Sequence, residues 1–283
     1  MTTTDYLSRT DVNQVEPLNL SHIKGQPQVT NALQVYLRAY FNVRSVTGNA
    51  ALPFGPVLLT GPSGTGKTLV AKAIHCDLGN LRLIHTNGEA INERGALFAT
   101  LIKADEYTTV LIDEAQGMNA RTQRILLTAV SERFLSTSLG SSQAPYTISL
   151  DSFTLILATT DEYLLQDALR NRMRVCCQFN YYSVDDLADI LRQRAAALRW
   201  LYDSPDIPVK VAQRAKGTAR IALNRILQTA WQVAKSHDHD SITSTDLEEA
   251  FHHLRIDECG LDDTDRRYLG VLAQNGYAPL NIP

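Results

Sequence analysis

The octapeptide Gly61-Pro62-Ser63-Gly64-Thr65-Gly66-Lys67-Thr68 carries the most specific chemistry in this chain. It follows an apolar run, Val57-Leu58-Leu59-Thr60, and precedes a helix-forming stretch, Leu69 to Leu78. A buried strand, a glycine loop and a helix start form the context of a nucleotide-phosphate loop, G-x-x-x-x-G-K-[ST]. The glycines let the backbone curl until its N–H groups converge on an anion. The helix N-terminus adds partial positive charge. Lys67 is expected to reach the outer phosphates of ATP, and the Thr68 hydroxyl to ligate Mg²⁺. The plainer alternative is a glycine-rich turn with a chance lysine. That alternative does not account for all four fixed positions and both flanks together.

A second signature lies downstream. Val110-Leu111-Ile112-Asp113-Glu114 is an apolar strand that ends in two carboxylates. Open α/β sheets place their sites at the C-terminal ends of strands. Asp113 can hold the Mg²⁺ shell, and Glu114 can orient and deprotonate an attacking water. Alone, the pair could be a plain strand end; downstream of a phosphate loop the joint signal is strong. Thr159-Thr160 closes the next strand, Leu155-Ile156-Leu157-Ala158. Thr160 there would sense the γ-phosphate and the water, or it simply ends a strand.

Two arginine positions add to this set. Leu169-Arg170-Asn171-Arg172-Met173-Arg174 puts three arginines just before the last strand. An arginine donated by a neighbouring subunit can neutralise γ-phosphate charge, although surface arginines are usually just solvated. Gly217-Thr218-Ala219-Arg220 opens a helix. Arg220 could fold back onto phosphates, or stand in solvent against the helix dipole.

The elements that must position these groups follow from periodicity. A helix is expected from Pro27 to Arg44, with Val29, Leu33 and Leu37 on one face. Strands are expected at Val57–Thr60, Leu81–His85, Thr109–Asp113, Phe153–Thr159 and Val175–Phe179, with helices between them, including Ala120–Leu135. This alternation predicts a five-stranded parallel sheet covered on both faces. After Tyr182 the pattern becomes helical throughout. Ser183 to Asp186 resembles a capping box, and helices are expected over Pro208–Lys216, Thr218–Lys235, Ser244–Leu254 and from residue 262 to 274.

Composition narrows the classes. The 283 residues are enough for one large or two to three small domains. A net charge of −3 excludes a globally basic nucleic-acid binder, so any such contact is local. Cys76, Cys176, Cys177 and Cys259 lack metal or redox spacing and read as buried thiols of a reducing cytoplasm. No apolar run reaches membrane-spanning length, and the polar start lacks a signal-peptide pattern.

In this order, the elements resemble the AAA+ ATPases, and more closely the RuvB family of Holliday-junction branch-migration motors. The likeness rests on Gly25-Gln26-Pro27-Gln28-Val29, the strand from Phe153 to Thr160, Leu169 to Arg172, Phe179 to Val184, Gly217 to Ala222, and Gly260-Leu261-Asp262 with Asp265-Arg266-Arg267. It implies an N-terminal arm (1–20), an AAA+ nucleotide-binding α/β domain (21–181), a small helical lid (182–257) and the start of a winged-helix domain (258–283). It implies Arg172 as a finger acting in trans with Arg170 nearby, Arg220 as a second sensor, and Val15 and Tyr182 against the nucleotide base. It further implies a ring, a hexamer in this family, around duplex DNA, with the Asn87–Gly95 segment and Arg94 touching phosphates.

Four positions depart from the family pattern. Glu16 stands where an arginine is usual, Ala115-Gln116 follows the acidic pair in place of Ile-His, and Ala219 replaces a proline. Residues 134–148 match the hairpin that grips an accessory protein, but here they are rich in serine and threonine. Two functions therefore stand as expectations. One is an ATP-hydrolysing ring motor on DNA; the other is an ATP-dependent oligomeric switch that recruits a partner without translocating.

Overall fold

The run Val57–Thr60 (β1) is buried along its whole length, which is what a central strand covered on both faces requires. In the computed structural model, which describes residues 9–47, 53–137 and 146–274, four more strands join it. They are Arg82–Asn87 (β2), Thr108–Asp113 (β3), Thr154–Thr159 (β6) and Val175–Gln178 (β7). All neighbours pair in parallel, in the order β2-β3-β6-β1-β7. The expected five-stranded parallel sheet is therefore present. A small antiparallel hairpin, Phe134–Thr137 (β4) and Tyr146–Ser149 (β5), stands apart from it.

Strand alternation splits the core into two layers. Leu58, Val110, Ile112, Leu155 and Leu157 point to one side, against Arg94–Ile102 (α3) and Ala120–Glu132 (α4). Val57, Leu59, Leu111, Ile156 and Ala158 point to the other, against Pro27–Thr47 (α1) and Lys67–Leu78 (α2). Full burial of each such Val, Leu or Ile side chain contributes about 1.5–3 kcal/mol. Parallel pairing also puts Thr60, Asp113 and Thr159 at one end of the sheet, with Thr60 beside Thr159.

The helix expected to run to Leu135 stops three residues earlier. Arg133 takes a left-handed conformation (φ 58°), and its N–H caps Ala129 O. Phe134 and Leu135 then enter the hairpin, where Leu135 is buried opposite Ile148. The four-residue spacing of Leu126, Val130 and Phe134 therefore overran a real helix end.

The chain divides into two compact units, residues 17–180 and residues 1–16 with 181–283. The second unit is built from Val184–Leu198 (α6), Ile207–Gln213 (α7), a π-helical segment Ile221–Leu227, Gln228–Ser236 (α8), Ser244–Leu254 (α9) and Asp263–Gln274 (α10). Asp167–Arg170 (α5) belongs to the first unit. The expected single helix from Thr218 to Lys235 is thus continuous from Ala219, α-helical at Ala219–Arg220, π-helical at Ile221–Leu227 and α-helical again from Gln228.

The polar segment expected as an N-terminal arm is partly built into the helical unit. Val12 is fully buried in its core. The Val12 N–H donates to Gln228 Oε1 at 2.9 Å, and Gln228 Nε2 donates to Thr10 O at 2.8 Å. Arg194 donates to Val12 O. Trp200, stacked on Trp231 at 4.9 Å, donates its indole N–H to Arg9 O. One apolar residue in a polar stretch was too weak a signal for this docking.

The thiols also differ from expectation. Cys177 is buried, and burial pushes its thiol up to about 11, but Cys76, Cys176 and Cys259 are exposed. Cys176 and Cys177 do face opposite sides of β7, as adjacent strand residues must. Among the described residues, no helix is long and apolar enough to cross a membrane.

Candidate active site at the C-terminal end of the sheet

The phosphate loop leaves β1 at Gly61, whose φ of 139° and close approach to Phe179 admit no side chain; a Cβ would lie 2.4 Å from Phe179 O. Gly64 (φ 77°) and Gly66 (φ 94°) complete the curl, and Gly66 caps α2 in the left-handed region. Pro62, Ser63 and Thr65 fill the loop between them, with Thr65 fully buried and its hydroxyl donating to Pro62 O at 2.7 Å. Lys67 is the first residue of α2 and is buried. Its Nζ donates to Gly61 O at 2.7 Å and to Pro62 O at 2.9 Å, which fixes the ammonium at the loop.

Thr68 and Asp113 meet directly, although 45 positions separate them. The Thr68 hydroxyl donates to Asp113 Oδ2 at 2.6 Å. His85 Nε2 lies 3.8 Å from the same oxygen. The other carboxylate oxygen accepts the Glu114 N–H at 2.9 Å. A hydroxyl and a carboxylate together are hard oxygen donors, which fits Mg²⁺.

Glu114 turns the chain with φ 46° and ψ 49°, an uncommon region for a residue with a side chain. The turn exposes its carboxylate just beyond the strand end. Gly88 lies against this turn: its N–H donates to Asp113 O at 2.9 Å, and a Cβ there would meet Glu114 O at 2.4 Å. Asn92 also clasps the turn, donating to Gly117 O and accepting from the Asn119 N–H, both at 2.8 Å. The Asn87–Gly95 segment is therefore tied to the stretch that carries the acidic pair. The side chain of Arg94 lies outside the described residues, as do residues 138–145 of the hairpin.

Thr160 follows β6 and donates to Asp161 Oδ2 at 2.6 Å. Gln116 Nε2 donates to Thr160 Oγ1 at 2.9 Å and to Glu114 Oε2 at 2.5 Å. Sequence reasoning noticed Gln116 only as a departure from a family pattern. Its signal was a polar residue two positions beyond the candidate base; Gly88 gave no signal of its own.

The arginines separate by topology. Arg172 precedes β7, and β7 runs parallel to β1, so Arg172 lies at the sheet end away from the phosphate loop. Four residues of strand put roughly 10 Å between the two ends. Arg170 pairs within its own chain, with Asp167 and, at 3.7 Å, with Glu162. Arg172 is exposed and reaches Ser131 O at 3.4 Å.

Val15, Tyr182 and Arg220 belong to the helical unit. Val15 and Tyr182 pack on its core, and the Tyr182 N–H donates to Gly217 O at 2.8 Å. Arg220 is exposed at the start of the π-helical segment.

Comparison with known proteins gives a consistent picture. Residues 15–179 match the family described as the Holliday junction DNA helicase RuvB P-loop domain, and residues 182–257 match the RuvB AAA lid domain. The chain is 31% identical over 271 residues to the Holliday junction branch migration complex subunit RuvB of Lactobacillus gasseri, covering 95% of this chain and 77% of that protein. The same figures hold for the subunit from Lactobacillus johnsonii. Among solved structures, the Thermotoga maritima RuvB Holliday junction branch migration motor superposes with a TM-score of 0.78 at 26% identity, covering 93% of this chain and 81% of that one. A point mutant of the same protein gives 0.81, with 94% and 83% covered.

Proposed function

This chain belongs to the RuvB family, and from that premise we propose how its residues divide the work of an ATP-driven motor. It is an ATP-hydrolysing AAA+ enzyme that drives branch migration of Holliday junctions in DNA recombination and repair. It binds nucleotide, works as a subunit of an oligomer and acts on DNA. The observation that carries the site is the 2.6 Å bond from Thr68 to Asp113, which joins the phosphate loop to the acidic strand.

The loop N–H groups of Gly61 to Lys67 cradle the phosphates, and Lys67 adds charge at the outer ones. Thr68 and Asp113 hold Mg²⁺, which when bound neutralises charge on the phosphates. Glu114 accepts a proton from the water that attacks the γ-phosphorus as ADP leaves. Thr160 contacts the γ-phosphate side of the site. Arg172 acts on the nucleotide of a neighbouring subunit, a reading supported by its place at the far sheet end and by its freedom from the carboxylates that engage Arg170. Arg220 reports nucleotide from the lid, and Val15 and Tyr182 flank the base. The ring is a hexamer, DNA is held through its phosphates, residues 134–148 form the seat of an accessory protein, and the protein works in the cytoplasm.

The partner-recruiting switch without translocation is not favoured, because the relatives matched over nearly the whole chain are branch-migration subunits. The test is a synthetic four-way junction with ATP. ATP-dependent dissociation, together with hydrolysis stimulated by DNA, is expected. Hydrolysis indifferent to DNA and an intact junction would remove the motor reading.

A further inference from the structure

We propose that Gln116 is a positioning residue for ATP hydrolysis: its side-chain amide ties the Glu114 carboxylate to the sensor threonines and so sets where the base stands. The inference rests on the reading of Glu114 as the base, and it concerns a residue outside the nucleotide motifs.

Gln116 uses its amide completely. Its Oε1 accepts from the Thr159 hydroxyl at 2.6 Å, and its Nε2 donates to both Glu114 Oε2 and Thr160 Oγ1. The orientation of the amide follows from chemistry. An ionised carboxylate only accepts, so nitrogen must face Glu114. Thr159 Oγ1 accepts the Asp161 N–H at 3.1 Å, and its own proton goes to Gln116. The Thr160 proton goes to Asp161, which leaves its oxygen to accept from Gln116.

The anchor at one end of this chain is rigid and the group at the other end is not. Thr159 is fully buried as the last residue of β6. Glu114 is exposed, and a free glutamate side chain samples many rotamers. A base must stand within hydrogen-bond reach of its water, and a displacement of about 1 Å can cost roughly 100-fold in rate. The amide supplies that restraint from a fixed strand. Because one NH₂ group serves both Glu114 and Thr160, a rotation of Gln116 disturbs both contacts together. Base and sensor are thereby coupled through a single side chain.

The decisive variant is Gln116→Glu. It keeps the shape and an acceptor for Thr159, but replaces the amide donor with a second carboxyl group set against Glu114. Gln116→Ala removes the amide altogether, and Glu114→Gln is run beside them in the full-length protein. For both Gln116 variants we expect kcat to fall on the order of 10- to 100-fold, with KM for ATP and the affinity for a fluorescent ADP analogue within about twofold. Combining Gln116→Ala with Thr160→Val should cost less than the product of the two single losses, because the two share one contact. If both Gln116 variants turn over within about twofold of the parent while Glu114→Gln is inactive, the positioning role is wrong and the base reading stands. If Glu114→Gln itself turns over normally, the base reading fails and takes this inference with it. A loss that appears in ADP affinity as strongly as in kcat would assign Gln116 a purely structural part and overturn the proposal.

Discussion

Thr68 and Asp113 share a 2.6 Å hydrogen bond, so the end of the phosphate loop and the end of the acidic strand form one continuous polar surface. Two motifs 45 positions apart become one site because β6 alone separates β1 from β3 and all three strands run in the same direction. Nothing local to either motif requires that contact.

Lys67 is buried, and its ammonium is held at the loop carbonyls of Gly61 and Pro62. Lys67→Ala should therefore abolish ATP binding without unfolding the sheet. Titration calorimetry checks this, and an unchanged affinity would remove the phosphate-loop assignment.

Glu114→Gln should bind ATP with Mg²⁺ and hydrolyse it very slowly, since the amide cannot accept a proton from water. A fall in kcat of about 100-fold or more with KM little changed is expected. Single-turnover hydrolysis measures it. Turnover near that of the parent would exclude Glu114 as the base.

Arg172→Ala should bind nucleotide and assemble, yet lose hydrolysis. Mixed with Lys67→Ala subunits it should regain part of its activity, because some interfaces then pair an intact loop with an intact arginine. Mixtures that assemble normally and stay inert at every ratio would refute the action in trans. The Arg170→Ala variant run alongside should instead lose thermal stability, since its partners Glu162 and Asp167 are in the same subunit.

Asp262 caps α10 reciprocally with Asp265 and pairs with Arg225 at 3.0 Å. The backbone N–H of Asp265, and then the Arg225 guanidinium, hold its carboxyl down to about 2. The folded value lies below the ordinary 3.8, so this ionised group adds stability that is fully present above about pH 4 and is lost as the pH falls toward 2. Asp262→Ala should destabilise the helical unit by about 1 kcal/mol near neutrality through the lost cap. It should also flatten the loss of stability between about pH 4 and 2. Urea unfolding followed by the stacked Trp200 and Trp231 indoles reads both effects. An equally steep acid transition in the variant would show that Asp262 does not set it.

Much of this architecture is legible in short stretches of chain. A phosphate loop needs its glycines at positions set by backbone conformation, and Gly61, Gly64 and Gly66 take the positive φ values that demand them. Buried strands need unbroken apolar runs, and Val57–Leu59, Val110–Ile112 and Leu155–Ala158 are such runs. The helix starts at Val184 and Ser244 follow from local capping chemistry, with Ser183 and Thr243 as the caps. Local rules were weaker at helix ends: a left-handed cap at Arg133 left no glycine to announce it, and the helix stopped before Phe134.

What the chain by itself determined, then, was the kind of chemistry and its principal groups, because phosphate binding and proton transfer require particular residues at fixed local spacing. Only the tertiary structure decided which groups touch. Strand order brought Thr68 to Asp113, and the left-handed turn at Glu114 placed Gln116 between the Glu114 carboxylate and Thr159 and Thr160. The same folding buried Val12 in the helical core. Each of these is a contact between residues distant in sequence or across a turn, and its energy depends on packing that no local pattern encodes.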